Sequence, residues 1–297
     1  MHIIGHHRER ALLAENVQRG TTAQAYLFTG PRSIGKALCA LELAAELVGE
    51  PEFEPGDDQP YPYDVRVLRP QSETKRGITK TKSIPVEEVR EALSFLSQYP
   101  AKGDYRVLII EDAHRLSETA QNALLKTLEE PVSSAVLILV THEVGAILPT
   151  VLSRVKRIRF DFVSPHELRA GIPESETTAI APFFYTLGRP GMLMSALQSP
   201  ESFVKNRELL SQLYRLSTLS LGERMSLAER LGTETDRAIQ LLEWWLPGLH
   251  EQAKKGVERP LTTRYYQLLE RVTETIHLLK TTQSNARLLL EKLFFAL

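Results

Sequence analysis

A strand–loop–helix pattern near the amino terminus constrains the fold more than any other stretch of this 297-residue chain. The apolar run AYLFT at 25–29 predicts a buried strand, and the segment KALCALELAAELV that follows a short loop predicts a helix. The loop, GPRSIGKA at 30–37, has the glycine and lysine spacing of the phosphate-binding pattern G-x-x-x-x-G-K-[ST]. In such a loop, backbone N–H groups and a helix amino terminus face phosphate oxygens, and the lysine reaches the terminal phosphates. We therefore expect Gly30, Gly35 and Lys36 to form a nucleotide site.

Two positions depart from the pattern of a nucleotide-hydrolysing site. Ala37 stands where a Ser or Thr hydroxyl holds Mg²⁺. An apolar strand that ends in Asp then Glu is also expected, but here RVLII is followed by Glu111 and Asp112, in the inverted order. The exchange moves each carboxylate by about 1 Å or more, which can lower a rate about 100-fold. The two departures predict lost or weakened hydrolysis, although the acidic pair could also be simple solvated charges at a strand end.

Apolar runs and helical patterns alternate through the first half of the chain. Further strands are predicted at 65–69, 106–110, 136–141 and 157–160, and helices at 36–48, 85–98 and 117–130, the last with Ser117 as its N-cap. The Pro- and acid-rich segment 50–63 predicts an exposed connection. The alternation predicts a doubly wound α/β domain with a parallel sheet, helices on both faces and ligands at the carboxyl ends of the strands.

After Phe160 the pattern becomes helical, with amphipathic stretches that include 264–280 and 286–297. The sequence therefore predicts an α/β domain followed by helical parts. The predicted domain boundaries are 1–162, 163–199 and 200–297.

Composition excludes several classes of protein. With 36 basic and 37 acidic residues the net charge is −1, which argues against broad electrostatic attraction to nucleic acid or anionic membranes. No run of about 18 apolar residues occurs, so neither a signal peptide nor a membrane span is predicted and a cytoplasmic protein is expected. Cys39 is the only cysteine, which excludes an internal disulfide and a cysteine-based zinc site. His2, His6 and His7 lack matching ligands, and no metal site is predicted.

The segment AHRLSETAQNALLKTLEEP at 113–131, with the VLILVT and ILPTVLSRVKRIRF that follow, closely resembles bacterial DNA polymerase III clamp-loader subunits, an AAA+ family. The run NALLKTLEEP at 122–131 is its most specific part, and the resemblance covers about residues 3–200. Within the family, QAYLFTGPRSIGKA and FFYTLGRPGMLMSAL are most similar to delta-prime members. The resemblance implies an AAA+ P-loop domain, a small helical lid and an all-helical collar with which the family joins a pentameric ring.

The resemblance also implies roles for single residues. Thr141 matches the sensor-1 position. Ser153 and Arg154 match the start of the family's SRC motif, whose arginine reaches the ATP of a neighbouring subunit, and Val155 replaces the motif's cysteine. Such an arginine finger is worth about 10³–10⁵ in rate in the best cases. Gly191 lies about where a hydrolysing subunit has its sensor-2 arginine. The four cysteines of the family's zinc module are absent, and no zinc is expected.

The resemblance therefore implies a non-hydrolysing subunit that supports ATP-dependent loading of the sliding clamp onto primed DNA. Its implied partners are gamma/tau and delta subunits in a hetero-pentamer and, through the complex, the sliding clamp and primer–template DNA. Its own loop could still bind ATP, ADP or phosphate without hydrolysis. Two alternatives stay open: an active gamma/tau-like ATPase in which water bridges Ala37 and Mg²⁺, and a stand-alone DNA-binding module that uses the basic run SRVKRIRF.

Overall fold

A computed structural model describes residues 3–51, 61–75, 78–171, 188–198, 208–209, 211–213, 215–255, 261–281 and 285–295. Most of the predicted connection at 50–63 and nearly half of the predicted lid at 163–199 lie outside these ranges. The chain divides into two compact units, one formed by 1–71 with 82–194 and the other by 72–81 with 195–297. None of the described helices combines the length and the apolar character that a membrane crossing needs.

The described strands are β1 Ala25–Thr29, β2 Val65–Leu68, β3 Ser72–Lys75, β4 Ile78–Thr81, β5 Arg106–Ile110, β6 Ala135–Thr141 and β7 Lys156–Arg159. The described α-helices of the first unit and its boundary are α1 His7–Gln18, α2 Lys36–Leu47, α3 Val86–Leu96, α4 Glu118–Glu129, α5 Pro149–Leu152, α6 Pro165–Ala170 and α7 Pro190–Gln198. Those that follow are α8 Leu221–Gly232, α9 Thr235–Lys255, α10 Leu261–Thr281 and α11 Ala286–Phe295.

Five parallel strands form the sheet of the first unit in the order β2-β5-β6-β1-β7. Strand β1 alternates its side chains between two apolar cores. Tyr26 and Phe28 pack on one face with residues of α2, while Ala25 and Leu27 pack on the other with residues of α3 and α4. Helices therefore cover both faces of a parallel sheet, which confirms the predicted α/β architecture.

The strands and helices of this layer structure lie where the sequence predicts them. All five predicted strands are present, and α2, α3 and α4 coincide with the three predicted helices within two residues at each end. Ser117 is the N-cap of α4, since its Oγ accepts the Ala120 N–H at 3.1 Å.

The hairpin of β3 and β4 belongs to the second unit and is not predicted by the sequence. Its strands read SETK and ITKT, which lack the apolar alternation that marks a half-buried strand. The other described elements of this unit are helical, as predicted: α8 packs against α11 and α9 against α10. Trp245, Val272 and Leu290 are among its buried side chains.

Candidate functional site

The glycine-rich loop joins β1 to α2 and depends on backbone conformations that suit glycine. Gly30 has φ 143°, and a Cβ added there would lie 2.1 Å from the Phe160 carbonyl oxygen. Gly35 has φ 102° and is the N-cap of α2. The loop therefore has the strand–loop–helix setting of a phosphate-binding loop, with the helix amino terminus facing out of it.

The ammonium group of Lys36 is hydrogen-bonded to the backbone of the loop. Its Nζ donates hydrogen bonds to the carbonyl oxygens of Gly30 and Pro31 at 2.8 and 2.5 Å, and the residue is buried. An incoming phosphate must replace these carbonyl contacts to engage the ammonium group. Ala37, next along the chain, offers no hydroxyl to a metal ion.

Two segments from elsewhere hold the loop backbone. His6 Nε2 donates to the Ile34 carbonyl oxygen at 2.7 Å, and the Gly191 N–H donates to the Ser33 carbonyl oxygen at 2.8 Å. A Cβ at position 191 would lie 2.9 Å from that same Ser33 oxygen. The amino terminus of α7 therefore meets the loop at a distance that excludes a larger side chain at position 191.

The His6 contact makes loop stability sensitive to acid. Burial lowers the pKa of His6, although its hydrogen bond with Ile34 opposes the shift. In the unfolded chain His6 is protonated near pH 6.5, whereas in the folded chain it is protonated only at a lower pH. The contribution of His6 to stability is thus complete above pH 6.5 and is lost as the pH falls below that value.

We expect His6→Asn to flatten the pH dependence of the free energy of unfolding below pH 6.5, because asparagine does not titrate and tolerates the left-handed backbone of position 6. The change in slope stays below the one-proton limit of about 1.4 kcal/mol per pH unit. Urea unfolding at several pH values between 5 and 7.5 measures it. His7→Asn, at the exposed neighbour, is the control, and equal slopes in His6→Asn and the wild type would contradict the assignment.

Both candidate carboxylates are paired inside the chain. Glu111 Oε1 accepts a hydrogen bond from Arg69 Nε at 2.9 Å and lies 2.9 Å from Arg69 Nη2. Asp112 has a left-handed backbone with φ 48°, and its Oδ1 lies 3.6 Å from His142 Nδ1. Burial alone would raise the pKa of Asp112, but the neighbouring imidazoles of His142 and His114 hold it below its usual value. Each acid therefore has a side-chain partner where a hydrolysing site has Mg²⁺ and an activated water.

Thr141 ends β6 beside a second histidine. Its buried hydroxyl accepts the Glu143 N–H at 3.0 Å and lies 3.4 Å from His114 Nδ1. The rings of His114 and His142 meet edge to face with centroids 4.1 Å apart. Burial, reinforced by the charge of His142, lowers the pKa of His114, so that its imidazole is neutral at neutral pH.

The structure brings the expected loop and strand-end residues together around one cavity of about 250 Å³. Its lining includes Gly35, Lys36, Ala37, Glu111, Asp112, Thr141 and Gly191. Gly30 lies in the same loop and bonds Lys36 through its carbonyl oxygen. These residues share the carboxyl-terminal edge of the sheet, where ligands bind in folds of this type.

Ser153 and Arg154 lie at the opposite edge of the same sheet. Strands β7 and β1 are parallel, with Lys156 opposite Tyr26, so that Arg154 is level with the start of β1. The loop begins after the end of β1, about 20 Å away at about 3.3 Å per residue. The Arg154 guanidinium pairs with Glu129 at 2.8 Å and donates to the Thr150 carbonyl oxygen at 3.0 Å.

Sequence reasoning missed three polar residues of this site: Arg69, His114 and His142. A signal for them was present, because each lies within four residues of the carboxyl end of a predicted parallel strand, and those ends meet at one edge. Which of them touch depends on the strand order, which the sequence pattern does not reveal.

The fold and the loop define an AAA+ P-loop protein. Two solved structures have this fold. The gamma subunit-related protein of Thermotoga maritima gives a TM-score of 0.54 at 20% identity, over 96% of this chain and 97% of that one. The RuvB branch migration motor of the same organism gives a TM-score of 0.51 at 18% identity, over 84% of this chain and 88% of that one.

Sequence comparison identifies the family. The model described as DNA polymerase III, delta subunit, matches residues 5–164. The chain is 33% identical over 157 residues to the DNA polymerase III delta' subunit of Pseudomonas aeruginosa, covering 49% of this chain and 45% of that protein. It is 30% identical over 170 residues to the gamma/tau subunit of Mycobacterium bovis, covering 57% and 29%. The chain belongs to the DNA polymerase III delta subunit family, which confirms the resemblance to clamp-loader subunits, and it matches less than half the length of these two relatives.

Proposed function

We propose that this chain is a delta-prime-like clamp-loader subunit that does not hydrolyse ATP and supplies Arg154 to the nucleotide of a neighbouring ATPase subunit. The observation that carries this proposal is the position of Arg154, at the sheet edge about 20 Å from the chain's own loop. An arginine so placed cannot serve its own phosphate site. It is half-exposed, with 36% of its side chain accessible, and its partner Glu129 is more exposed still.

The state of the chain's own site supports the non-hydrolysing half of the proposal. Hydrolysis needs an ordered metal ion and an activated water, and Ala37 lacks the hydroxyl that would bind the metal. Glu111 is engaged by Arg69, and Asp112 by His142. Binding of ATP, ADP or phosphate needs mainly loop amides and a cation, so the loop can bind nucleotide without turning it over.

Exposed apolar side chains in the second unit support a role in assembly. Leu221 on α8 and Leu288 on α11 are each about three-fifths accessible, and Phe295 at the end of α11 is also exposed. Leu288 and Phe295 are seven residues apart and therefore share one face of α11, and exposed apolar patches are typical of protein contact surfaces. We infer that these helices form the collar that joins gamma/tau and delta subunits in a hetero-pentamer, and that 163–199 forms the lid.

A reconstitution tests the proposed function directly. The full chain is mixed with gamma/tau and delta subunits, the sliding clamp, primed DNA and ATP, and loaded clamps are counted. We expect loading only when this chain is present, with contacts to clamp and primer–template DNA made through the complex. Efficient loading without the chain, or failure of the subunits to co-elute, contradicts the proposal.

A gamma/tau-like ATPase is the second candidate, because gamma/tau relatives match more than half of the chain. We expect no ATP turnover by the isolated chain, and none after Ala37→Thr, because the restored hydroxyl leaves Glu111 bound to Arg69 and Asp112 to His142. Steady-state phosphate release measures the turnover of the wild-type chain and of Ala37→Thr, with a purified gamma/tau subunit as the positive control. Turnover by the wild-type chain at the rate of the control would establish the ATPase instead.

A further inference from the structure

A cluster of one carboxylate and two imidazoles lies beside the phosphate loop. Asp112, His114 and His142 each offer one ligand atom, and these three atoms all lie within 4.8 Å of one another. The distance from Asp112 Oδ1 to His142 Nδ1 is 3.6 Å. The imidazole rings of His114 and His142 meet edge to face. All three residues are partly buried.

The fold itself makes this cluster. Strands β5 and β6 are adjacent and parallel, and their carboxyl ends deliver Asp112 and His142 to the same edge of the sheet. A 3₁₀ turn, Ala113–Arg115, follows Asp112 and brings His114 back toward them. Asp112 has φ 48°, a backbone conformation that is uncommon for residues other than glycine and concentrates at functional positions.

The ligand set suits a divalent transition metal. Two imidazoles and a carboxylate, with a fourth position for water, form a common zinc arrangement in proteins. Tetrahedral bonds of about 2.0–2.1 Å place ligand atoms about 3.3 Å apart. The Asp112–His142 pair, at 3.6 Å, is near this spacing, and the other two pairs lie within 4.8 Å. Asp112 and His142 line the cavity of the loop, which leaves room for a fourth ligand. Arg32 and Lys36, which line the same cavity, oppose a cation, and the Asp112 carboxylate supplies the negative charge that favours one.

We propose that Asp112, His114 and His142 bind one divalent transition metal ion, with Zn²⁺ as the best fit. Mg²⁺ is a poor match, because it prefers oxygen ligands and octahedral geometry. This site differs in residues and ligand type from a cysteine-based zinc module, and it does not depend on the proposed role in clamp loading.

Titration of the full-length, metal-free chain with Co²⁺ and Zn²⁺ alone tests the proposal. We expect one equivalent of Co²⁺ to produce the visible absorption bands of a tetrahedral site, and Zn²⁺ to displace it. His114→Gln and His142→Gln should each weaken binding by more than about 100-fold, since losing only an outer partner of a metal ligand costs about 10–100-fold.

The amino-terminal histidines provide the matched control. His7 is exposed and lies outside the cluster, so His7→Gln should leave Co²⁺ affinity and spectrum unchanged. Loss of binding in His7→Gln, or retention in both cluster variants, would overturn the proposal. If the cluster variants fail to fold, the wild-type spectrum still decides: absence of tetrahedral bands at one equivalent refutes the site. ATP and partner subunits are absent from this assay, so its failure leaves the clamp-loading proposal standing.

Discussion

Arg154→Ala is expected to lower ATP turnover at the adjoining subunit's site by about 10³-fold when this chain is assembled with gamma/tau subunits. A guanidinium presents a fixed planar cation to the charge that develops on a transferring phosphoryl group. Removing it raises the energy of the transition state more than that of bound ATP, so kcat falls and KM changes little. A single-turnover time course shows the full effect, because any ATPase site that Arg154 does not reach keeps its rate and appears as a separate fast phase.

The controls for this experiment come from the same stretch of chain. Arg157 is an exposed residue of β7 three positions away, and Arg157→Ala should leave turnover unchanged. Arg154→Lys keeps the charge but loses the planar fork, and an intermediate rate is expected. An unchanged single-turnover rate in Arg154→Ala, in an assembly that forms normally, would remove the finger from the proposed function.

Asp64→Ala is expected to lower the free energy of unfolding by about 3–5 kcal/mol, because it leaves a buried arginine without its counter-charge. Asp64 and Arg106 side chains are only 3% and 4% accessible, and Arg106 Nε lies 3.1 Å from Asp64 Oδ1. Asp64 also accepts the backbone N–H groups of Ala101 and Lys102 at 2.9 and 3.0 Å. The substitution therefore leaves the Arg106 guanidinium without a counter-charge and the N–H groups of Ala101 and Lys102 without their acceptor.

An exposed ion pair near this buried one supplies the comparison. Arg66, on β2 two residues after Asp64, pairs with Glu91 of α3 at 2.8 Å, and the Glu91 side chain is 70% accessible. Glu91→Ala should change the free energy of unfolding by about 0.5 kcal/mol. Urea unfolding of the full chain measures both variants. A loss below about 1 kcal/mol in Asp64→Ala would mean that water reaches Arg106 and replaces the carboxylate.

The sequence predicted the elements that depend on local patterns. The runs VLII at 107–110 and VLILV at 136–140 are apolar throughout, as is typical of strands buried on both faces. Ser117 was identified as a cap because its role involves residues within one helical turn. The polar hairpin of β3 and β4 lacks such a pattern and was missed. The roles of Ser153, Arg154 and Thr141 came from family resemblance and remain proposals.

In the candidate site, too, local features could be predicted from the sequence and long-range contacts could not. Its loop, its lysine and the missing hydroxyl at Ala37 can all be identified within one continuous stretch of sequence. Its polar pairs cannot, because Glu111 meets Arg69 across 42 positions and Asp112 meets His142 across 30. No pattern within a single element specifies those distances.

By itself, the sequence determined that a phosphate loop follows a buried strand, that its metal-binding hydroxyl is absent, and that α/β layers precede helices. Each of these follows from residue types that are close together along the chain. Only the tertiary structure decided that both acidic groups are engaged, that His114 and His142 converge on Asp112, and that Arg154 is far from its own loop. The reason is that the order and register of parallel strands come from non-local pairing, which sets the edge of the sheet at which each side chain lies.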